Sequence, residues 1–174
     1  MHETPAELAD LQELLDTSLS RSTSHLRSIV DASRTLTAEQ LVEVLTGMCV
    51  LSLATVTAGG EPRISAVDGH FLHGKWYFGT APTAAKARHL AARPAVSAAH
   101  IRGEDLGVFT HGHVEILDPR GGEPADDWSE LLAYLQSFYG GDAFDWDEEV
   151  VYYRLNPHWM TVYAPDFTAL VDRR

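Results

Sequence analysis

The sequence predicts a mainly β fold with flanking α-helices, in which six or seven antiparallel strands form a closed or partly open barrel behind an N-terminal helical extension. Three observations predict it. Near the N-terminus, Leu8, Leu11, Leu15 and Leu19 recur at helical spacing. After Gly47 the pattern becomes extended, beginning with the Val-, Leu- and Thr-rich run CVLSLATVT. Short turn signals, Ala58-Gly59-Gly60 and His73-Gly74, then separate successive extended runs as hairpins require.

Each element has its own signal. The leucines over 5–19 form one stripe of an amphipathic helix, and that stripe needs a partner to cover it. A Ser/Thr cluster over 18–24 reads as a break before a second helical stretch through Leu26, Ile29 and Val30. Residues 1–36 are therefore expected to be a helical extension, packed on the main domain, 37–174, or on another subunit. Thr37 and Gln40 have capping-box spacing for a helix over about 38–47, with Leu41, Val44 and Leu45 inward and Gly47 ending it. The strand over 49–57 is largely apolar on both faces and is expected to be central. Strands over 61–69 and 75–80 continue a meander. A helix over about 83–92, closed by Pro94, interrupts it before strands over 95–102 and 106–117. In the last of these, Leu106, Val108, Val114 and Ile116 share one parity, and His111, His113 and Glu115 the other. Asp127 and Glu130 can cap a helix to about Tyr139 that buries Trp128, Leu131, Leu132 and Leu135. A strand over 150–155 is expected to end at Asn156-Pro157, followed by another extended piece through Val162 and a terminal arm over 167–171.

Composition narrows the function. The 174 residues fit one core, with 45% hydrophobic and 22% charged side chains. Thirteen Lys and Arg against 25 Asp and Glu leave a formal charge of −12, which opposes general attraction to nucleic acid or an anionic membrane. An anionic ligand then needs a local cluster of the few basic residues. Cys49, the single cysteine, excludes an internal disulfide and reads as a buried structural thiol. An acidic N-terminus without an apolar run, and no stretch near the roughly 18 apolar residues of a membrane span, make the expected location cytoplasmic.

The strongest chemical signal lies in GEPRISAV and WYFGTAPTAAKARHL. Arg63 and Ser65 are two apart on a strand and project to one face. Thr80 ends a strand, and Thr83 can cap the helix that carries Lys86 and Arg88. Free amides at a helix start, a hydroxyl and an ammonium make a site for a phosphate, and if the two segments are neighbours the acidic chain has one basic pocket.

The pieces LATVTAGGEPRIS, WYFGTAP and KARHLAARPAVSAA, in this order over about 41–117, resemble the flavin-binding split barrels, which include pyridoxamine 5'-phosphate oxidase and the flavin- or deazaflavin-dependent oxidoreductases. The resemblance implies a homodimer with the cofactor ring at the subunit interface. It also implies that Arg63 and Lys86 bind the cofactor phosphate, that Gly79, Thr80 and Thr83 belong to the same site, and that Ile64 and Ser65 border the ring. The implied activity is an oxidoreductase that binds FMN or a deazaflavin coenzyme and exchanges electrons or hydride with a small molecule. This chain has Ala84-Ala85 where many flavin-binding relatives have Ser-Arg, so a guanidinium and a hydroxyl are absent from the expected cradle. Thr83, His89 or Arg88 can stand in for them, or a deazaflavin can be gripped differently. The Arg and His substrate pattern of pyridoxamine phosphate oxidase is not evident in RLNPHWMTVYAPDF.

Other arrangements compete. His111, His113 and Glu115 alternate on one strand face and could present two imidazoles and a carboxylate to a metal, although side chains two apart sit nearly 7 Å from one another. Nine histidines keep haem binding open, and a noncatalytic flavin- or haem-binding carrier or sensor is the alternative to an enzyme. Asp68 and His70 share a face where either could touch substrate, with solvent as the ordinary expectation. Trp128, Trp146, Trp159 and the tyrosines Tyr134, Tyr139, Tyr152, Tyr153 and Tyr163 suit an interface more than a lid over a flat ring. No Gly-x-Ser-x-Gly, Walker or Rossmann glycine motif is present, which suits a cofactor that carries its own chemistry.

Overall fold

Two capping boxes start the helical extension and its continuation. Thr4 and Glu7 open α1 (Pro5–Ser20), and Thr37 and Gln40 open α3 (Ala38–Val44), with the short α2 (Ser24–Ile29) between them. The computed structural model describes residues 2–119, 122–140 and 150–172. Leu11 and Leu15 on the buried side of α1 pack into the same core as the barrel. Ser18 fixes the contact: its Oγ donates to the Leu14 carbonyl at 2.6 Å and accepts from the Met160 amide at 2.9 Å.

Six antiparallel strands follow, in the closed order β1-β2-β3-β6-β5-β4. They are β1 (Met48–Val56), β2 (Pro62–Leu72), β3 (Lys75–Thr80), β4 (Ala95–Arg102), β5 (Leu106–Ile116) and β6 (Val151–Tyr163). Helix α4 (Ala85–Ala92) joins β3 to β4, α5 (Trp128–Tyr139) lies between β5 and β6, and α6 (Phe167–Asp172) ends the described chain. Leu51, Leu53, Val67, Phe71, Phe78, Val108 and Leu155 fill the barrel. Among them Trp76 donates from Nε1 to Thr110 Oγ1 at 3.1 Å, so the two buried polar groups satisfy each other. Cys49 is buried, its Sγ 3.7 Å from the Leu45 carbonyl.

Four expectations change. Asp127 stands before α5 without capping it, because its carboxylate accepts from the Tyr77 hydroxyl and from Arg154 instead. Asn156-Pro157 does not end a strand: β6 runs through it for 13 residues. The irregularity is absorbed within β6 itself: His111 pairs with Trp159 and the next residue, Gly112, with Pro157, so His158 is left as an extra residue beside the proline. Gly112 is obligatory there, because a Cβ would overlap the Asn156 carbonyl oxygen. Strand β1 is buried on one face only, and Met48 and Val50 on its other face are exposed. Thr83 does not cap α4; the N-cap is Ala84, without a side-chain bond, because a turn closed by the Ala84 amide on the Ala81 carbonyl (2.9 Å) carries Thr83 outside the helix start.

The ladder between β2 and β3 is short. It runs only from Gly69 opposite Phe78 to Leu72 opposite Lys75, whereas β2 begins at Pro62 and β3 ends at Thr80. From Pro62 to Asp68, β2 pairs among the described residues with β1 alone. The barrel is therefore parted between β2 and β3 at one end. No helix among the described residues is long and apolar enough to cross a membrane.

Candidate functional site

The parting of β2 from β3 assembles most of the candidate residues. On β2, Arg63 lies opposite Thr55 and Ser65 opposite Leu53. Thr55 and Leu53 are buried, so Arg63 and Ser65 share the inward parity at the open end. Ser65 Oγ is buried and has no hydrogen-bond partner among the described residues, and such a hydroxyl ordinarily finds one. Arg63 is exposed, and it donates from Nη2 to Glu61 at 2.6 Å and from Nη1 to the Pro62 carbonyl at 3.2 Å.

Helix α4 supplies the other side. Lys86, in its first turn, reaches back to β2 and donates from Nζ to the Ala66 carbonyl at 3.4 Å. His89 turns the same way, with Nδ1 2.9 Å from Thr55 Oγ1. Arg93, at the helix end, donates from Nε to the Val56 carbonyl at 3.0 Å. Three basic side chains thus line the edge of α4 that faces β1 and β2, in a chain of formal charge −12. Arg88 points elsewhere. It donates to the Thr83 carbonyl at 2.6 Å and lines a separate cavity of about 300 Å³ with Ala87, Ala91, Ile116 and Tyr153.

Of the remaining candidates, Thr80 ends β3 opposite Val151, half-buried. Gly79 lies opposite Tyr152, where a Cβ would come within 2.8 Å of Val150 Cγ1. Thr83 is exposed. Ile64 is 76% exposed on the outside of the barrel and belongs to a wider apolar face. Across that face the rows run Ile64, Ala54, Ser97, His111 and then Ala66, Ser52, Ala99, Phe109. Val50 and Ile101 extend it, both more than half exposed.

The rival arrangements are engaged in other contacts. Glu115 accepts from Arg154 at 2.7 Å and from Asn156 at 3.3 Å, and the hydrogen bond from Arg154, with its charge, holds the carboxyl below the usual range. His111 stacks on Trp159, ring centres 4.6 Å apart, and its Nδ1 meets Ser97 Oγ at 2.7 Å. Among the described residues no group of three His, Cys, Asp or Glu is arranged to hold a metal ion. His70 is not solvated but buried, with Tyr134 and Tyr139 hydroxyls at 3.0 and 2.9 Å from its two ring nitrogens, and burial lowers its pKa to about 4. Asp68 beside it is exposed. Trp128, Tyr152 and Tyr153 are core residues, and Trp146 lies outside the described residues.

Sequence reading missed the Thr55–His89 pair and the imidazole-centred aromatic cluster. Both join residues 34 or more positions apart that carry no shared local pattern.

The parted six-stranded barrel with flanking helices is the split-barrel fold found in pyridoxamine 5'-phosphate oxidase-like proteins. Three solved structures illustrate it. The haem storage protein HutZ of Vibrio cholerae is 19% identical, with 72% of this chain and 92% of that one covered at a TM-score of 0.59. An FAD-binding protein of Mesorhizobium loti is 23% identical over 74% and 93% of the two chains, at 0.54. A provisionally assigned pyridoxamine 5'-phosphate oxidase of Listeria innocua is 12% identical over 71% and 95%, at 0.56. At these identities the likeness is one of fold. No protein-family model matches the chain, and no curated protein does.

Proposed function

We propose that the chain is a homodimeric oxidoreductase that binds FMN or a deazaflavin coenzyme where β2 parts from β3, and exchanges electrons or hydride with a small molecule. The parted ladder, with a buried hydroxyl at Ser65 that has no partner among the described residues and Lys86 reaching across to β2, is the observation that supports this most. The residues fit a phosphorylated flavin. Lys86 and Arg63 would hold the phosphate, with Thr80 at the end of β3 and the uncapped start of α4 on the same side. Ser65 would bond the bound group and relieve its own burial, and Ile64 would border the ring from outside.

A bound flavin supplies the electron-transfer chemistry; the protein orients it and excludes water. A second copy of the chain fits the apolar face beside the opening. Ile64, Val50, Ile101 and Phe109 leave exposed apolar side chains on one face of the sheet, which supports a partner there, and Ala54, Ala66 and Ala99 between them would let another sheet approach closely. Ile64 belongs both to that face and to the candidate site, so dimerisation would wall the opening.

Spectra of the purified protein titrated with FMN and then with a nicotinamide donor test the reading. Saturable binding followed by bleaching of the flavin band is the expected result. Binding that no donor reduces would make the protein a carrier, and absence of binding to FMN and to the deazaflavin would overturn the assignment.

A further inference from the structure

We propose that His89, oriented by Thr55, is a phosphate ligand of this site, resting on the cofactor reading above and adding to it a residue that the chain's own packing selects. Thr55 is 2% exposed, and its hydroxyl has one hydrogen-bond partner among the described residues, the His89 Nδ1 at 2.9 Å. That contact fixes the ring plane. Where the Thr55 hydroxyl donates to Nδ1, the arrangement this proposal requires, the ring carries its proton on Nε2. Nε2 has no hydrogen-bond partner among the described residues, so a donor of fixed direction is left for a ligand.

Its neighbours say which ligand. Lys86 is one helical turn before His89, and both are tied to the β1–β2 edge, Lys86 through the Ala66 carbonyl and His89 through Thr55. Arg63 is the register partner of Thr55 on the adjacent strand. An ammonium, a guanidinium and an imidazole donor therefore surround one corner of the opening. Lys86 is satisfied only by a long bond of 3.4 Å, and Arg63 is held by an exposed carboxylate, Glu61, so both can turn to a better acceptor. Three donors and no fixed carboxylate on α4 suit a phosphate monoester, whose oxygens accept several charge-assisted bonds at once. Arg88 takes no part, because its guanidinium is committed to the Thr83 carbonyl on the other side of the helix.

The experiment compares FMN with riboflavin, which has the same ring and no phosphate. Dissociation constants for both are measured by fluorescence on the wild type and on His89→Ala, Thr55→Val and Arg88→Ala, each checked for folding by its melting curve. The wild type is expected to prefer FMN. His89→Ala is expected to weaken FMN by about tenfold or more and to leave riboflavin unchanged, as loss of one charge-assisted bond requires. Thr55→Val keeps the side-chain shape and is expected to weaken FMN in the same selective way by a smaller factor, which keeps the test open if His89→Ala fails to fold. Arg88→Ala is expected to change neither. If the wild type prefers FMN and the His89 and Thr55 variants keep that preference, the role of His89 is overturned while the cofactor site stands. If the wild type binds neither compound, or both equally, the phosphate site and the inference fall together.

Discussion

Lys86 reaches the strand that carries Arg63 at the end where the β2–β3 ladder has stopped. Their spacing of 23 positions in sequence has no local meaning, yet Lys86 bonds the backbone three residues beyond Arg63. Removing either charge, in Lys86→Ala or Arg63→Ala, is expected to weaken FMN binding by about 1.5–3 kcal/mol with little effect on the melting temperature, because both side chains touch the rest of the fold lightly. Titration of the two variants checks this, and unchanged affinity in both removes them from the site. Gly112 is a residue of the opposite kind, structural and intolerant. A methyl group there meets the Asn156 carbonyl with no room to relax, so Gly112→Ala is expected to destabilise the fold by about 2 kcal/mol or more, read from chemical denaturation. The sequence marked GEPRISAV and the helix that carries Lys86 as segments that would form a basic pocket if they were neighbours, and the Lys86 bond to the Ala66 carbonyl joins them. The capping role expected of Thr83 did not hold, because the turn ending at Ala84 depends on how the chain leaves β3.

Helices α1 and α5 are fastened to the barrel by histidines that respond to pH in opposite senses. His73, in the β2–β3 turn at a left-handed φ of 53°, contacts Glu7 of α1 at 3.0 Å and Glu130 of α5 at 3.2 Å. Burial disfavours its charged form, but the two carboxylates outweigh it and the pKa is raised above 6.5. Its contribution is therefore complete below 6.5 and lost as pH rises through the folded value. His70, under α5, behaves the other way: burial lowers its pKa to about 4, so the unfolded chain binds the extra proton first and stability falls as pH drops from 6.5 towards 4. His100 and His111 are lowered by burial too and add to that slope. Denaturation across pH 4–9 is expected to show losses on both sides of neutrality. His73→Gln is expected to flatten the alkaline side and His70→Phe to reduce the acid slope, and identical profiles in the variants would contradict the assignment. Element types were largely legible because period-2 and period-3.6 patterns alternate cleanly. The long β6 was not, since Asn-Pro reads as a turn, and the bulge at His158 that lets the strand continue past it shows only in the pairing with β5. Nor was the single buried face of β1, because apolar side chains that face out do not differ in sequence from those that face in.

At the scale of the molecule, a barrel was legible from the number of short extended runs, but the parting between β2 and β3 was not. Sequence pattern marks strands and says nothing of how far two of them stay paired. That parting and the adjoining apolar face are what turn a common architecture into a candidate site. Val50, 52% exposed in the middle of the face, is the position to charge: Val50→Lys is expected to convert a dimer into a monomer by light scattering and to weaken cofactor binding with it. A wild-type monomer would contradict the dimer, and a monomeric variant with full cofactor affinity would separate the site from the interface.

The most direct test of the central claim is a parallel absorbance and fluorescence titration of the wild type with FMN, the deazaflavin coenzyme and haem, repeated on Lys86→Ala. Saturable binding of a flavin or deazaflavin in the micromolar range or tighter, weakened in Lys86→Ala, is the result this account predicts. Binding of haem alone, or flavin binding indifferent to Lys86, would contradict it.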